Sequence, residues 1–145
     1  MIKNTLLISS LQIISAFALN ASPEIVAQRG ASHQAPENTL PAFELASEQW
    51  ADIIEVDVQL SKEGHVICIH DKNTKRAGRK NLTVAKSSLN ELQKIDVDSF
   101  KHKTYAWTQI PTLKQVLDSV TKGKKVFIEI KSGVETIDPV LKIIK

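Results

Sequence analysis

This sequence predicts an α/β fold, the N-terminal half of a TIM-type (β/α)8 barrel that is incomplete, and three observations carry the prediction. Apolar runs of strand character end in short polar motifs: Gln28-Arg29-Gly30, Glu55-Val56-Asp57, His70-Asp71 and Glu129-Ile130-Lys131. Those runs alternate with segments of helical spacing, the pattern of a parallel sheet covered by helices. The chain has 145 residues, of which 42% are apolar. That is enough for a packed core but only about half of the roughly 250 residues that a closed barrel takes.

Taken in order, Glu24 to Ala27 is a short apolar strand that runs into Gln28-Arg29-Gly30 and then a polar loop. A helix follows. Thr39 is placed to cap it and Pro41 suits its first turn, while Leu40, Phe43, Leu45, Ala46 and Trp50 form its core-facing stripe. Asp52 to Gln59 is rich in β-branched residues and reads as the next strand. Alternation puts Ile54, Val56 and Val58 on one face and Ile53, Glu55 and Asp57 on the other, so both acids point the same way. Lys62-Glu63-Gly64 reads as a turn, and Val66 to Ile69 as a strand that delivers His70-Asp71.

The basic stretch from Lys72 to Lys86 reads as a loop, either a solvated one or one that draws anions toward the site. Ser88 to Ile95 and Pro111 to Val120 are helices, the second stopped at Thr121-Lys122-Gly123. Val126 to Lys131 is a strand with Phe127, Glu129 and Lys131 on one face, and Ile137 to Lys145 begins a further helix. The count is about four of a barrel's eight strands. Exposed edges at Glu24 to Ala27 and Val126 to Lys131 lead us to expect self-association or pairing with further strands.

Residues 1–21 have the layout of a secretory signal peptide: Lys3, an apolar stretch from Leu6 to Ala18, and small residues near Ala18 and Ala21. The expectation is export, leaving a domain over residues 22–145 outside the cytoplasm, periplasmic or secreted. The apolar run is shorter than the roughly 20 residues of a spanning helix, so no stable membrane anchor is expected. The single cysteine, Cys68, lies in an apolar run and reads as a buried, inert thiol. A net charge of +3 does not call for a nucleic-acid partner.

The motifs suit metal-assisted chemistry on a phosphate ester. Glu55 and Asp57 from one strand face, joined by Glu129 from another, offer hard oxygen ligands for magnesium or calcium. The other reading is a solvated acidic face, but acids flanked by apolar strand residues rarely stand free on a helix-covered sheet. His70 at a strand end is a candidate general acid or base, its imidazole titrating near pH 6.5 when unperturbed, or else a structural histidine. Arg29 and Lys131 are suited either to phosphate oxygens or to pairing with those acids. Glu37, Asn38 and Thr39 either cap the first helix or position the active loop. Trp107 either lines a pocket or is buried under the rim.

Gln28-Arg29-Gly30-Ala31-Ser32, Pro36-Glu37-Asn38-Thr39, Ile54-Glu55-Val56-Asp57-Val58, His70-Asp71, Ile110-Pro111-Thr112-Leu113 and Ile128-Glu129-Ile130-Lys131 together resemble the glycerophosphodiester phosphodiesterases, in the expected order from Val26 to Lys131. The resemblance implies a (β/α)8 barrel that hydrolyses glycerophosphodiesters, small soluble molecules such as deacylated phospholipids, to an alcohol and glycerol phosphate with a divalent cation. It implies Glu55, Asp57 and Glu129 as metal ligands, Arg29 and Lys131 as phosphate contacts, and His70 as one of two acid/base histidines. In the implied route a glycerol hydroxyl or water attacks phosphorus and the alcohol leaves. The second histidine is replaced by Gln28. A glutamine amide gives and accepts hydrogen bonds but takes up no proton, so activity is expected to be reduced, or the chain to be a phosphate-ester binding protein. His33 on the following loop is either a substitute or a surface residue.

Overall fold

The computed structural model describes residues 23–78, 80–97 and 101–145; the expected signal peptide lies outside them. Four strands and four helices follow one another as β1 (Val26–Gln28), α1 (Leu40–Glu48), β2 (Ile53–Leu60), β3 (Val66–Cys68), α2 (Leu89–Gln93), α3 (Leu113–Ser119), β4 (Lys125–Ile130) and α4 (Ile137–Ile144). None of the described helices is long and apolar enough to cross a membrane.

β2 is the axis of the sheet. β1 runs parallel to one of its edges with Gln28 opposite Glu55, and β4 runs parallel to the other from Ile53 opposite Lys125 to Val58 opposite Ile130. β3 is antiparallel, pairing Val58 with Cys68 and Leu60 with Val66. Carbonyls of a strand alternate between its two edges. The Ile69 amide donates to the Asp57 carbonyl at 3.1 Å and the Lys131 amide to the Val58 carbonyl at 2.9 Å, so β3 uses the same edge as β1.

The α/β expectation therefore holds, with a correction: the parallel staves are β1, β2 and β4, and β3 is a returning arm. The reason is length. Ser61 to His65 closes a tight turn, with Ser61 donating to the His65 carbonyl at 2.9 Å and Gly64 at φ 82°. A parallel return needs a connection of a dozen or more residues.

Two apolar clusters hold the elements. Ile54, Val56 and Val58 of β2 pack with Phe43 of α1, Leu113 and Val116 of α3 and Val140 of α4. Ile67 and Ile69 form a second cluster with Val84, Leu92, Ile95, Val97 and Ile110, against which Ala77 and Leu82 pack. The basic stretch is thus no simple solvated loop. Thr74, fully buried within it, accepts a hydrogen bond from the Leu82 amide at 2.9 Å and folds the segment over its own core. Capping boxes start both helices that flank this region, Ser88 with Glu91 for α2 and Thr112 with Gln115 for α3.

Two further expectations are corrected, and for Trp107 one of two alternatives holds. Thr39 stands at the N-cap of α1 but its hydroxyl makes no cap bond; it donates to the Pro36 carbonyl at 2.6 Å, bracing the preceding loop. Trp50 is 83% exposed because α1 ends two residues before it, at Glu48. The Ala51 amide donates to Ala46 at 3.1 Å and the Trp50 amide to Ser47 at 3.2 Å, a Schellman closure with Trp50 at φ 64°. Trp107 is exposed as well and not buried under a rim; it lines a shallow cleft with Leu40, Pro41, Ile110 and Pro111.

Trp50 occupies a backbone position that glycine takes without strain, and its side chain is solvated. Replacing Trp50 by Gly is expected to raise stability by about 0.5–1 kcal/mol, and Trp50→Val to lower it, because a β-branched residue resists positive φ. Urea unfolding midpoints of the two variants check the opposite signs.

Candidate metal and phosphate site

The site face of the sheet follows from register. Residues paired across parallel strands share a face, so Gln28, Glu55, Asp57, Phe127 and Glu129 all project from the side opposite the helices. One ligand oxygen each from Glu55, Asp57 and Glu129 lies within 4.8 Å of the others. The cluster anticipated from sequence parity is brought together.

The loop from β1 to α1 closes over it. Arg29 and Asn38 both adopt φ 58°, and the Asn38 amide donates to the Arg29 carbonyl at 3.1 Å. Between them Gly30 has φ 77°, and a side chain there would come 2.6 Å from the backbone of Ala42. That left-handed turn lets the Arg29 amide donate to Glu55 Oε2 at 2.8 Å while its Nε pairs with Asp57 Oδ2 at 2.9 Å. Asn38 completes the clamp: its Nδ2 donates to Asp57 Oδ2 at 2.9 Å and its Oδ1 accepts from the Asp57 amide at 3.0 Å.

After these contacts Glu55 Oε1 and Asp57 Oδ1 remain buried without a hydrogen-bond partner. Lys131 Nζ stands 3.9 Å from Asp57 Oδ1 and bonds Glu129 Oε1 at 2.9 Å. Burial, together with the charges of Asp57 and Glu129, pushes the Glu55 carboxyl above its usual range. The Lys131 ammonium holds Glu129 below its own, and Glu129 in turn raises Lys131. Two orphaned carboxylate oxygens on β2, with the Glu129 carboxylate converging on them from β4, suit a hard divalent cation, which would relieve both the desolvation and the mutual repulsion. The residues present therefore fit magnesium or calcium.

The His70 arm arrives because β3 turns back. Along one edge of β2, Gln28 stands opposite Glu55 and the Ile69 amide bonds Asp57, so the ends of β1 and β3 meet at the acids. Buried Gln59 fixes that arm by donating to the carbonyls of Ile69, His70 and Asp71 at 3.2, 2.9 and 2.7 Å. His70 Nδ1 lies 2.7 Å from Asp71 Oδ1, which leaves Nε2 for a ligand. Asp71 is held down to about 2 by its bonds to Arg76 and His70. Glu37 is lowered too: burial opposes its charge, but Arg76 and Arg29 outweigh it.

Gln28 is exposed at the end of β1, and His33 joins it in a groove along that strand's free edge. Cys68 is buried and its thiol is raised by that burial, in keeping with an inert residue. Sequence reasoning overlooked Gln59 and Arg76 and left Asn38 between two roles. Parity did carry a signal for Gln59, since it shares the face of Glu55 and Asp57; Arg76 was hidden among surface cations.

Three acids, two cations and a histidine gathered at the ends of helix-backed strands are a set suited to metal-assisted chemistry on a phosphate ester. Residues 29–145 match the glycerophosphoryl diester phosphodiesterase family, and the chain belongs to it. It is 41% identical over 111 residues to a glycerophosphodiester phosphodiesterase of Caldanaerobacter subterraneus, covering 76% of this chain and 46% of that protein. The structure is similar to an Oleispira antarctica phosphodiesterase in complex with the product sn-glycerol-3-phosphate, at TM-score 0.80 and 33% identity, covering 84% of this chain and 51% of that one. A glycerophosphodiester phosphodiesterase from Thermotoga maritima gives TM-score 0.71 at 37% identity, covering 85% and 50%. The chain spans about half the length of these relatives.

Replacing Glu55 by Gln removes one anionic ligand and is expected to weaken magnesium or calcium binding by about tenfold or more, read by calorimetric titration. A second expectation concerns acid. Asp71 is near 2 in the fold against 3.8 when free, so its contribution to stability is complete above about pH 4 and is lost as pH falls toward 2. Thermal unfolding between pH 5 and 2 should show a shallower acid limb in Asp71→Asn.

Proposed function

We propose that this chain carries the cation and phosphate site of an exported, divalent-cation-dependent phosphodiesterase that hydrolyses glycerophosphodiesters to an alcohol and glycerol phosphate. The observation that carries the reading is the pair of buried, partnerless oxygens on Glu55 and Asp57, set beside Glu129 and next to Arg29 and Lys131. Family membership and a relative bound to sn-glycerol-3-phosphate support the substrate class. The leader-like residues 1–21 support export.

Glu55, Asp57 and Glu129 would hold magnesium or calcium, which supplies neutralisation of the phosphate's charge. Arg29, its Nε and Nη1 engaged by Asp57 and Glu37, presents the remaining edge of its fork to a phosphate oxygen. Lys131 adds a point charge from β4. In the reaction water, or a glycerol hydroxyl whose cyclic ester water then opens, forms a bond to phosphorus and gives up its proton, the bond to the alcohol oxygen breaks, and that oxygen takes a proton. His70 holds or moves the proton at Nε2, because Nδ1 is engaged by Asp71.

The second proton carrier is missing. Gln28 shares the face of Glu55 and orients a ligand but exchanges no proton, which favours low activity or, as the second reading, a phosphate-ester binding protein.

Hydrolysis of glycerophosphocholine, measured for the protein, for Gln28→His and for His70→Ala, tests both readings. The expected outcome is a low rate that rises about 100-fold or more with Gln28→His and falls with His70→Ala. Binding of sn-glycerol 3-phosphate without hydrolysis in either the protein or Gln28→His would leave the binding reading; an active protein that gains nothing from the change would assign the second proton to His33 or water. Export is checked separately by the amino-terminal mass of protein recovered outside the cytoplasm, where an intact Met1 would count against it.

A further inference from the structure

Six side chains form an unbroken charged relay from the acids to the histidine. Asp57 Oδ2 meets Arg29 Nε at 2.9 Å, and Arg29 Nη1 meets Glu37 Oε2 at 3.3 Å. Glu37 Oε1 meets Arg76 Nη2 at 2.7 Å. Arg76 then grips Asp71 twice, Nε to Oδ2 at 2.8 Å and Nη2 to Oδ1 at 3.2 Å, and Asp71 Oδ1 holds His70 Nδ1 at 2.7 Å. Arg76 is the member that joins two separately built parts: Glu37 sits on the β1–α1 loop 39 residues away, and Asp71 follows β3.

The geometry points to Arg76 as a positioning residue that fixes His70 through Asp71 and Arg29 through Glu37, so that the proton-transferring arm and the phosphate-binding arm are set by one guanidinium. Backbone contacts do not do this. Gln59 anchors the carbonyls of residues 69–71 but leaves the Asp71 carboxylate free to rotate. Its rotation would release His70 Nδ1 and with it the choice of ring nitrogen presented to the ligand. Arg76 blocks that rotation with a two-point fork, while its third contact sits on Glu37, whose other oxygen steadies Arg29.

An exposed ion pair is ordinarily worth little, and Arg76 is half exposed. What it controls is orientation rather than stability, and the planar fork is the reason for arginine. A lysine ammonium could satisfy Glu37 or one Asp71 oxygen, but not hold the carboxylate plane at two points. The contact is also long-range, so it forms only when the segment after β3 has folded over its own apolar cluster.

The inference rests on the proposed function for its catalytic meaning, and its test is built to stand apart from it. Nitrogen-15 spectra of the imidazoles, with His70 assigned from its loss in His70→Gln, report which ring nitrogen carries the proton. They are compared for the protein, Arg76→Lys and Arg76→Met, beside thermal unfolding and titration with inorganic phosphate. The protein is expected to show His70 predominantly protonated on Nδ1 when neutral. Arg76→Met should give a mixed tautomer and phosphate binding weakened about threefold or more, with Arg76→Lys recovering phosphate binding more than the tautomer. Where hydrolysis is measurable, kcat should fall by about tenfold or more.

A folded Arg76→Met that keeps the His70 tautomer and the phosphate affinity of the protein would overturn the inference. So would an Arg76→Lys that fails to fold, since the residue would then serve the fold and not the site. A protein without hydrolysis whose tautomer nevertheless shifts in Arg76→Met would sink the proposed activity and leave the positioning role standing.

Discussion

A carboxylate with no solvent exposure, Asp57 in the middle of β2, is the constraint on which the rest depends. An unpaired charge there would cost several kcal/mol, so the fold has to bring it opposite charge and hydrogen-bond donors. The β1–α1 loop is shaped to do so. Arg29 and Asn38 accept left-handed backbone, Gly30 admits the close approach of α1, and Thr39 braces Pro36 instead of capping its helix. Each of these local departures from low-energy geometry makes sense only against Asp57. Strain of about 1–3 kcal/mol per position persists where surrounding contacts over-determine it.

The same constraint accounts for the unequal acids. Arg29 and Asn38 saturate one oxygen of Asp57 and the Arg29 amide one oxygen of Glu55, while Glu129 is left to Lys131. One oxygen of each of these two acids thus receives no hydrogen bond, and Asp57 Oδ1 meets Lys131 only at 3.9 Å. Full satisfaction from within would stabilise the apo fold and occlude the site. The sheet holds the three acids on rigid backbone and leaves their charge incompletely balanced, as a preorganised cation site would and a closed ion-pair cluster would not.

What could be read from the sequence was whatever depends on period two. The faces of β2 and β4, and hence Glu55, Asp57, Glu129 and Lys131, follow from alternation and stand where alternation puts them. The direction of β3 does not follow from its apolar residues, since three of them look the same in either sense; the short turn before it held that information and was read only as punctuation. Trp50 was misplaced because spacing extends a helical stripe past the point where backbone amides close the helix. Arg76 was missed for a different reason: its bond to Glu37 spans 39 residues, and no local pattern encodes such a contact; parity marked the face of Gln59 but not its partners, the carbonyls of residues 69–71.

The antiparallel return of β3 has a functional consequence beyond the strand count. A parallel stave in its place would have needed a crossover of a dozen or more residues before His70 could be delivered. Reversal instead sends the chain back down the edge of β2 that β1 occupies, so that His70 emerges at the level of Asp57, just past the end of β1. The segment that follows must then be folded locally, and it is: Val84, Leu92, Val97 and Ile110 enclose Ile67 and Ile69 in a core separate from the one beneath the sheet. Glu55, Asp57, Glu129 and Arg29 thus belong to the sheet and the loop that enters its first helix, whereas His70 belongs to a small satellite core. Such units open more readily than a central sheet, so a charged tie across the boundary is what such an architecture needs if His70 is to keep a fixed place beside the acids. Arg76, reaching from one unit to Glu37 on the other, spans that boundary.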